Sequence, residues 1–142
     1  MVSYIEIEPS HYEQVVALLN QLGYDVPLSE LANRIKQISN NREKVFVAVD
    51  DDGRVVGCVH ALIDTRLAGG TFGEIVSLVV DESIRGKGVG KGLIEEAAAW
   101  LKLNGMTRLR VRCNSIRQDT HKFYEHLEFI EKKSQKIFEK LL

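Results

Sequence analysis

The stretch that most constrains this chain is "FGEIVSLVV", residues 72–80. Apart from Glu74 and Ser77 it is apolar or glycine on both alternating faces, so a strand here has to be covered from both sides, in the middle of a sheet. A turn, "DES", and a glycine-rich loop, "IRGKGVG", follow it. Val89, Leu93, Ala97, Trp100 and Leu101 then recur at helical spacing, and Gly105 closes that helix.

The rest of the chain supplies neighbours for this unit. "SYIEIE" alternates as a strand. Ser10 with Glu13 forms a capping-box pattern, and Val15, Val16, Leu18, Leu19 and Leu22 make a helical stripe ended by Gly23. Ser29 begins a second helix with Leu31, Ile35 and Ile38. "KVFVAV" and "RVVGCVHALI" flank "DDDG", a hairpin signal. "RLRVRC" reads as a strand, Asp119 caps a short helix with Phe123 and Leu127, and "FIEKKSQKIFEKLL" supplies one or two last strands. The expected order is β-α-α-β-β-β-α-β-α-β(-β), an α/β (α+β) single domain over 1–142.

Composition fits one domain. A chain of 142 residues with 44% apolar residues can bury a substantial core. Its formal charge of −1 argues against nucleic-acid binding as the main task. Cys58 and Cys113 are far apart without CxxC or histidine partners, and read as reduced, buried thiols with no metal site. The charged start "MVSYIEIEPSHYEQ" has no signal-like apolar core, and no apolar run approaches the ~20 residues of a membrane span. A cytoplasmic protein with no membrane partner is expected.

The loop after the central strand carries the chemistry. Between Arg85 and Gly92 stand three cations, Arg85, Lys87 and Lys91, and four glycines, 86, 88, 90 and 92. The first turn of the following helix offers unpaired N–H groups and the positive end of the helix dipole. Glycines let the chain curl and a ligand approach the backbone closely. Together they favour a phosphate or pyrophosphate. A P-loop is disfavoured because Arg85 stands where its first glycine belongs and Gly92 where its Ser or Thr belongs. A GxGxxG dinucleotide loop is disfavoured, since Lys91 and Leu93 occupy its third-glycine positions and "DES" separates it from the strand.

R-x-x-G-x-G, Arg85 to Gly90, resembles the acyl-coenzyme A signature of the GNAT superfamily of N-acetyltransferases. "RQDTHKFYEHLEF", 117–129, is similar to a second family block, with Thr120 in place of Ala and Glu128 in place of Gly. The resemblance implies a mixed, mostly antiparallel six- to seven-stranded sheet flanked by four helices and splayed at its central strands. It implies acetyl-coenzyme A as cosubstrate, with the pyrophosphate on the amides of Arg85, Gly86, Lys87, Gly88, Val89 and Gly90. The pantetheine arm and thioester carbonyl would meet the main chain of Leu78, Val79 and Val80. The implied reaction is direct attack of a primary amine of a small molecule, peptide or protein on the thioester.

By the same resemblance Tyr124 is the proton donor to the leaving sulfur. A phenol of pKa ~10 is protonated at neutral pH and able to donate. Glu74, placed at the start of the central strand, is the candidate general base. Burial of a carboxylate in an apolar cleft raises its pKa toward a useful range. It equally suits a solvated strand end or a hold on a substrate cation. His121 matches a family position near the cofactor, or packs against the preceding loop. Asn114 either bonds the pantetheine amides or ends its strand in a turn. His60 faces the acceptor cleft or the core, while His11 and His126 read as solvated. Lys132, Lys133, Lys136 and Lys140 read as protection of an exposed strand edge.

The acceptor cleft of the family is shaped by segments that here read "GYDVPLSE" and "DTRLAGGTFG", with Tyr24, Asp25, Asp64 and Arg66 as selecting residues and Gly69 and Gly70 in a mobile loop. The resemblance allows a homodimer and transfer of longer acyl groups. A different class is also open: a non-catalytic acyl-coenzyme A-binding or regulatory domain of the same fold.

Overall fold

The computed structural model describes residues 1–38, 40–113 and 118–142, in two compact units, Met1–Val111 and Arg112–Leu142. The first unit contains β1 (Ser3–Glu6), α1 (Tyr12–Gln21), α2 (Leu28–Ile38), β2 (Glu43–Val49), β3 (Val55–Arg66), β4 (Gly70–Val80), α3 (Val89–Leu103) and β5 (Leu109–Val111). Its sheet runs β1-β2-β3-β4-β5. The first three pairings are antiparallel and β4 pairs with β5 in parallel. As the apolar run required, β4 lies inside the sheet.

Each sheet face has its own cover. On one face, Val45, Val47, Cys58 and Val79 pack with Val15 and Leu18 of α1 and Leu31 of α2. The opposite face receives α3, and two strand glycines set how closely. A Cβ on Gly57 would stand 2.8 Å from Leu93 Cδ1, and one on Gly73 would stand 2.5 Å from Leu101 Cδ1. Leu93 and Leu101 are fully or nearly fully buried there. Burial of such a side chain contributes roughly 1.5–3 kcal/mol over exposure.

Several expectations change on the ladder. The "DTRLAGGTFG" segment is mostly strand, with Asp64, Thr65 and Arg66 opposite Phe72, Thr71 and Gly70. β-branched Thr65 and Thr71 face each other and share a 3.0 Å hydrogen bond, which extends the ladder where a loop was expected. Glu74 therefore lies well inside β4, not at its start. The first helical turn begins at Pro9, whose fixed φ suits that position, so Ser10 falls inside the turn. The cap is made instead by Glu8, whose N–H donates to His11 Nδ1 at 3.0 Å. His11 is consequently buried rather than solvated. Of the two free thiols, Cys58 is buried, with its pKa pushed up to about 12 by burial, whereas Cys113 is exposed.

The second unit holds α4 (Gln118–His126), the fourth α-helix among the described residues. Asp119 lies in its first turn rather than at its cap. The turn past its end reaches Glu128, φ +69°, where Phe129 N–H donates to Tyr124 O and Glu128 N–H donates to Glu125 O. Beyond it the expected last strands are absent: among the described residues the sheet has five strands, not six or seven, and Phe129–Leu142 forms no helix, strand or turn. Among the described residues Lys132, Lys133, Lys136 and Lys140 therefore lie in no strand.

Candidate active site

β4 changes its pairing halfway along. With β3 it pairs from Gly70 to Val80, but with β5 only over Gly73, Glu74 and Ile75. At the same point the β3 register shifts: Ala61 faces Ile75 and His60 faces Ser77, leaving Val76 as the extra residue of a bulge. Val76 is exposed, as is Ser77. Successive N–H and C=O groups of a strand point to opposite sides. Among the described residues, the β5-facing half of these groups from Val76 to Val80 thus has no ladder partner. Leu78 and Val80 are half-buried and Val79 is buried.

The strand then turns through Asp81, whose N–H bonds Val56 O and whose carboxylate accepts from Ser83 N–H at 2.9 Å and Ser83 Oγ at 2.7 Å. Those bonds hold the Asp81 carboxyl below its ordinary pKa. Gln21 of α1 accepts the Glu82 N–H at 3.0 Å, which ties the turn to the first helix. Arg85 folds back so that its Nε donates to Val80 O at 3.3 Å. The turn is thus braced at both ends.

The glycine loop opens from this brace. Gly86 and Gly88 have φ +82° and +84°, and a Cβ on either would meet nothing within 4 Å. Their backbone runs past open space, in a conformation that glycine adopts without strain. Arg85 and Gly86 form a turn, and among the described residues the N–H groups of Gly86 and Gly88 make no hydrogen bond. Val89 and Gly90 are buried and begin α3, whose first turn has no acidic residue. Val89 anchors the loop: its Cγ1 lies 3.2 Å from where a Gly57 Cβ would be. Lys87 and Lys91 stand exposed beside the amides. Unpaired amides, a helix N-terminus, cations and free volume form a cradle for an anion. These residues fit the diphosphate of a coenzyme A-type group.

Two further residues shape this end. A Cβ at Gly92 would coincide with the Tyr4 hydroxyl, so this glycine gives clearance for a ring from β1 over the first turn of α3. Burial, then the charge of Glu95, raises the Tyr4 phenol pKa. Nothing in the sequence spacing joined Tyr4 to the loop. The signal was Gly92 itself, a glycine that serves no turn.

On the face opposite α3, Glu74 is buried and lies across from Leu62 on β3 and Arg110 on β5. Arg110 stacks over the Phe72 ring, 4.2 Å from its centroid. Leu62 in turn lies opposite Glu43 of β2. Glu43 Oε1 is 3.0 Å from His60 Nε2, and Glu43 Oε2 accepts from Asn40 Nδ2 at 3.2 Å. His60 therefore shares the face of Glu74 and sits opposite Ser77, beside the bulge. Of the expected selecting residues, Asp64 and Arg66 bind each other, Nε to Oδ2 at 2.6 Å, while Tyr24 and Asp25 are exposed.

In the second unit Tyr124 is buried, with its ring edge-on to Phe123 and Phe129 at 5.1 and 5.5 Å between centroids. Burial, then the nearby Cys113, pushes its phenol pKa up to about 12. The group is a proton donor throughout the physiological range. His121 is half-buried on the same helix and His126 is exposed. Asn114 lies outside the described residues. Among the described residues no group of three His, Cys, Asp or Glu side chains is arranged to hold a metal, and no helix is long and apolar enough to cross a membrane.

Similar architectures occur among solved acetyltransferases. A Trypanosoma brucei acetyltransferase is 26% identical, with a TM-score of 0.83 over 98% of this chain and 99% of that one. A glucosamine-6-phosphate N-acetyltransferase from Arabidopsis thaliana is 23% identical, with a TM-score of 0.83 over 98% of both chains. An aminoglycoside N-acetyltransferase in complex with coenzyme A is 21% identical, with a TM-score of 0.88 over 99% of this chain and 95% of that one. No curated protein matches the chain. The acetyltransferase (GNAT) family profile matches residues 9–129, across the loop, the bulged strand and the tyrosine helix, and the chain belongs to that family.

Proposed function

We propose that the chain is an N-acetyltransferase that uses acetyl-coenzyme A to acetylate a primary amine by direct attack. The observation that carries this is the loop at 85–90: among the described residues the amides of Gly86 and Gly88 have no partner, both glycines stand at positive φ with open space above them, and a helix N-terminus follows, while the β5-facing groups at the end of β4 lack a ladder partner. Acetyl-coenzyme A supplies the activated thioester. The chain's own groups do the rest. The amides of Arg85 to Gly90 hold the diphosphate, and the open edge of Leu78 to Val80 receives the pantetheine arm by strand-like bonding. An N–H at the Val76 bulge polarises the carbonyl, a device commonly worth ~3–4 kcal/mol of barrier. Glu74 takes the amine's proton, directly or through water, and Tyr124 returns a proton to the departing sulfur. His121 is the further cofactor residue of this reading.

The acceptor is a cationic amine of a small molecule or peptide. Glu74 and the Glu43–His60 pair on one face supply the acidic surroundings it needs. The family match runs across both units, which supports a single domain over 1–142; the cytoplasm is the compartment of this reading. The solved N-acetyltransferases of aminoglycosides and of glucosamine 6-phosphate make amino sugars the first acceptors to try. The test is thiol release from acetyl-coenzyme A against aminoglycosides, amino-sugar phosphates, polyamines and lysine peptides, with mass detection of product. Turnover with one class supports the reading. Coenzyme A binding without turnover on any of them replaces it with a non-catalytic binding domain.

A further inference from the structure

We propose that His60, held by Glu43, carries the acceptor's proton from Glu74 to solvent. The inference rests on the acetyl-transfer reading above. A base that takes a proton in each turnover has to give it up before the next. Glu74 is only 5% exposed, so bulk water is a poor recipient. Its neighbours across the ladder are Leu62 on β3 and Arg110 on β5. Neither can take the proton, since one is apolar and a guanidinium stays charged. On one diagonal of β3 stands Asp64, already engaged by Arg66 Nε at 2.6 Å. On the other stands His60.

The register sets His60 between two carboxylates. Leu62 lies opposite Glu43 on β2 and Glu74 on β4, and His60 is the next residue of β3 on that face. Diagonal neighbours of this kind have Cβ atoms roughly 7–8 Å apart, within reach of long side chains or of one bridging water. On the β2 side that reach is closed: His60 Nε2 is 3.0 Å from Glu43 Oε1, and Asn40 Nδ2 donates to Glu43 Oε2 at 3.2 Å. A carboxylate only accepts, so Nε2 carries the hydrogen and Nδ1 keeps a lone pair. Among the described residues Nδ1 makes no hydrogen bond. The side chains of His60 and Glu43 are 21% and 24% exposed, and Glu43 lines an open cleft with Leu62 and Asp64. The pair therefore meets water that Glu74 does not. The acceptor ammonium loses a proton to a Glu74 carboxylate oxygen, which frees the amine lone pair for the thioester. That proton passes to His60 Nδ1, directly or through a water, and the imidazolium is paired with Glu43. Once product has left, Nδ1 returns the proton to water. Glu43 acts through His60, as a positioning residue.

Steady-state kinetics of His60→Ala and Glu43→Gln test this, with tobramycin, glucosamine 6-phosphate, spermidine or a lysine peptide as acceptor, whichever the wild type acetylates. The expected result is a kcat about 10- to 100-fold lower in His60→Ala. A smaller fall is expected in Glu43→Gln, which keeps an acceptor for Nε2 but removes the charge. Acceptor KM and coenzyme A affinity stay unchanged in both. Added imidazole restores kcat in His60→Ala and leaves the wild type as it was, with acetylated product counted by mass. A packing defect would not respond to imidazole. Unchanged kcat in both variants, or a loss that imidazole does not repair, overturns the relay and leaves acetyl transfer standing. A rise in KM alone makes the pair a hold on the acceptor and overturns the relay too. A wild type that binds coenzyme A and acetylates none of the four amines removes the acetyl-transfer reading, and the relay with it.

Discussion

Replacing Glu128 by glycine should make the protein more stable, although it deletes a side chain. Three helices of this chain end in the same way. At Gly23, Gly105 and Glu128 the backbone enters the left-handed region, with φ +90°, +82° and +69°. In each case the residue after it bonds back five positions: Tyr24 to Leu19, Met106 to Leu101 and Phe129 to Tyr124, at 3.0 to 3.1 Å. This is the Schellman end, and α4 adds the usual apolar contact as the Phe129–Tyr124 ring pair. Only α4 builds it with a residue that carries a Cβ. The left-handed conformation costs an L-residue roughly 1–2 kcal/mol. Glycine removes that cost but loses about 0.4–1 kcal/mol to the freer unfolded chain. The net expectation is a gain of about 0.5–1 kcal/mol, or about 3 °C in Tm for a domain of this size. Glu128→Ala keeps the strain and should change little. The assay is urea unfolding of the three proteins, with hydrogen exchange of the α4 amides as a local readout in case the second unit opens on its own. A Glu128→Gly variant no more stable than Glu128→Ala, by both readouts, refutes the reasoning.

Tyr124→Phe should lower kcat about 10- to 100-fold, toward the low end of general-acid effects because a thiolate is a fair leaving group, with coenzyme A affinity unchanged. With the phenol held up to about 12, wild-type kcat shows no alkaline fall from this group below pH 10. The sign for stability follows. The folded state keeps a proton that the unfolded phenol loses near pH ~10, so this contribution to stability declines as pH rises from there through about 12. Glu74→Gln should reduce kcat/KM most at neutral pH, with the deficit shrinking as pH approaches the amine's own pKa; a pure KM rise would make Glu74 a binding residue. Gly73→Ala should cost about 1–3 kcal/mol, read as a lower urea midpoint at constant slope, because buried Leu101 has nowhere to retreat.

The order of elements up to β5 was legible because it rests on local periodicity. The two-faced apolar run of β4 required a central position, and Gly23 and Gly105 ended their helices as glycines do. The loop at 85–90 was legible for the same reason, since its glycines and cations adjoin in sequence. What stayed hidden depends on which residues meet across the sheet. The bulge at Val76 leaves no compositional trace, yet it puts His60 beside the site and Glu74 on its face. The Glu43–His60 bond joins two strands, and the clearance of Gly92 for Tyr4 joins the first strand to the third helix. The last segment misled for another reason. "KIFEKLL" has apolar content that suits a strand, but a strand forms only where an edge pairs with it, and among the described residues this segment pairs with none.

The central claim is that the amides of residues 85–90 grip a diphosphate. Calorimetric titration of coenzyme A into wild-type protein and into Arg85→Glu and Gly88→Val variants tests it most directly. The account predicts micromolar binding by the wild type and at least tenfold weaker binding by each variant, with folding intact by circular dichroism. Absence of heat with wild type at millimolar coenzyme A, or equal affinity in all three proteins, would contradict it.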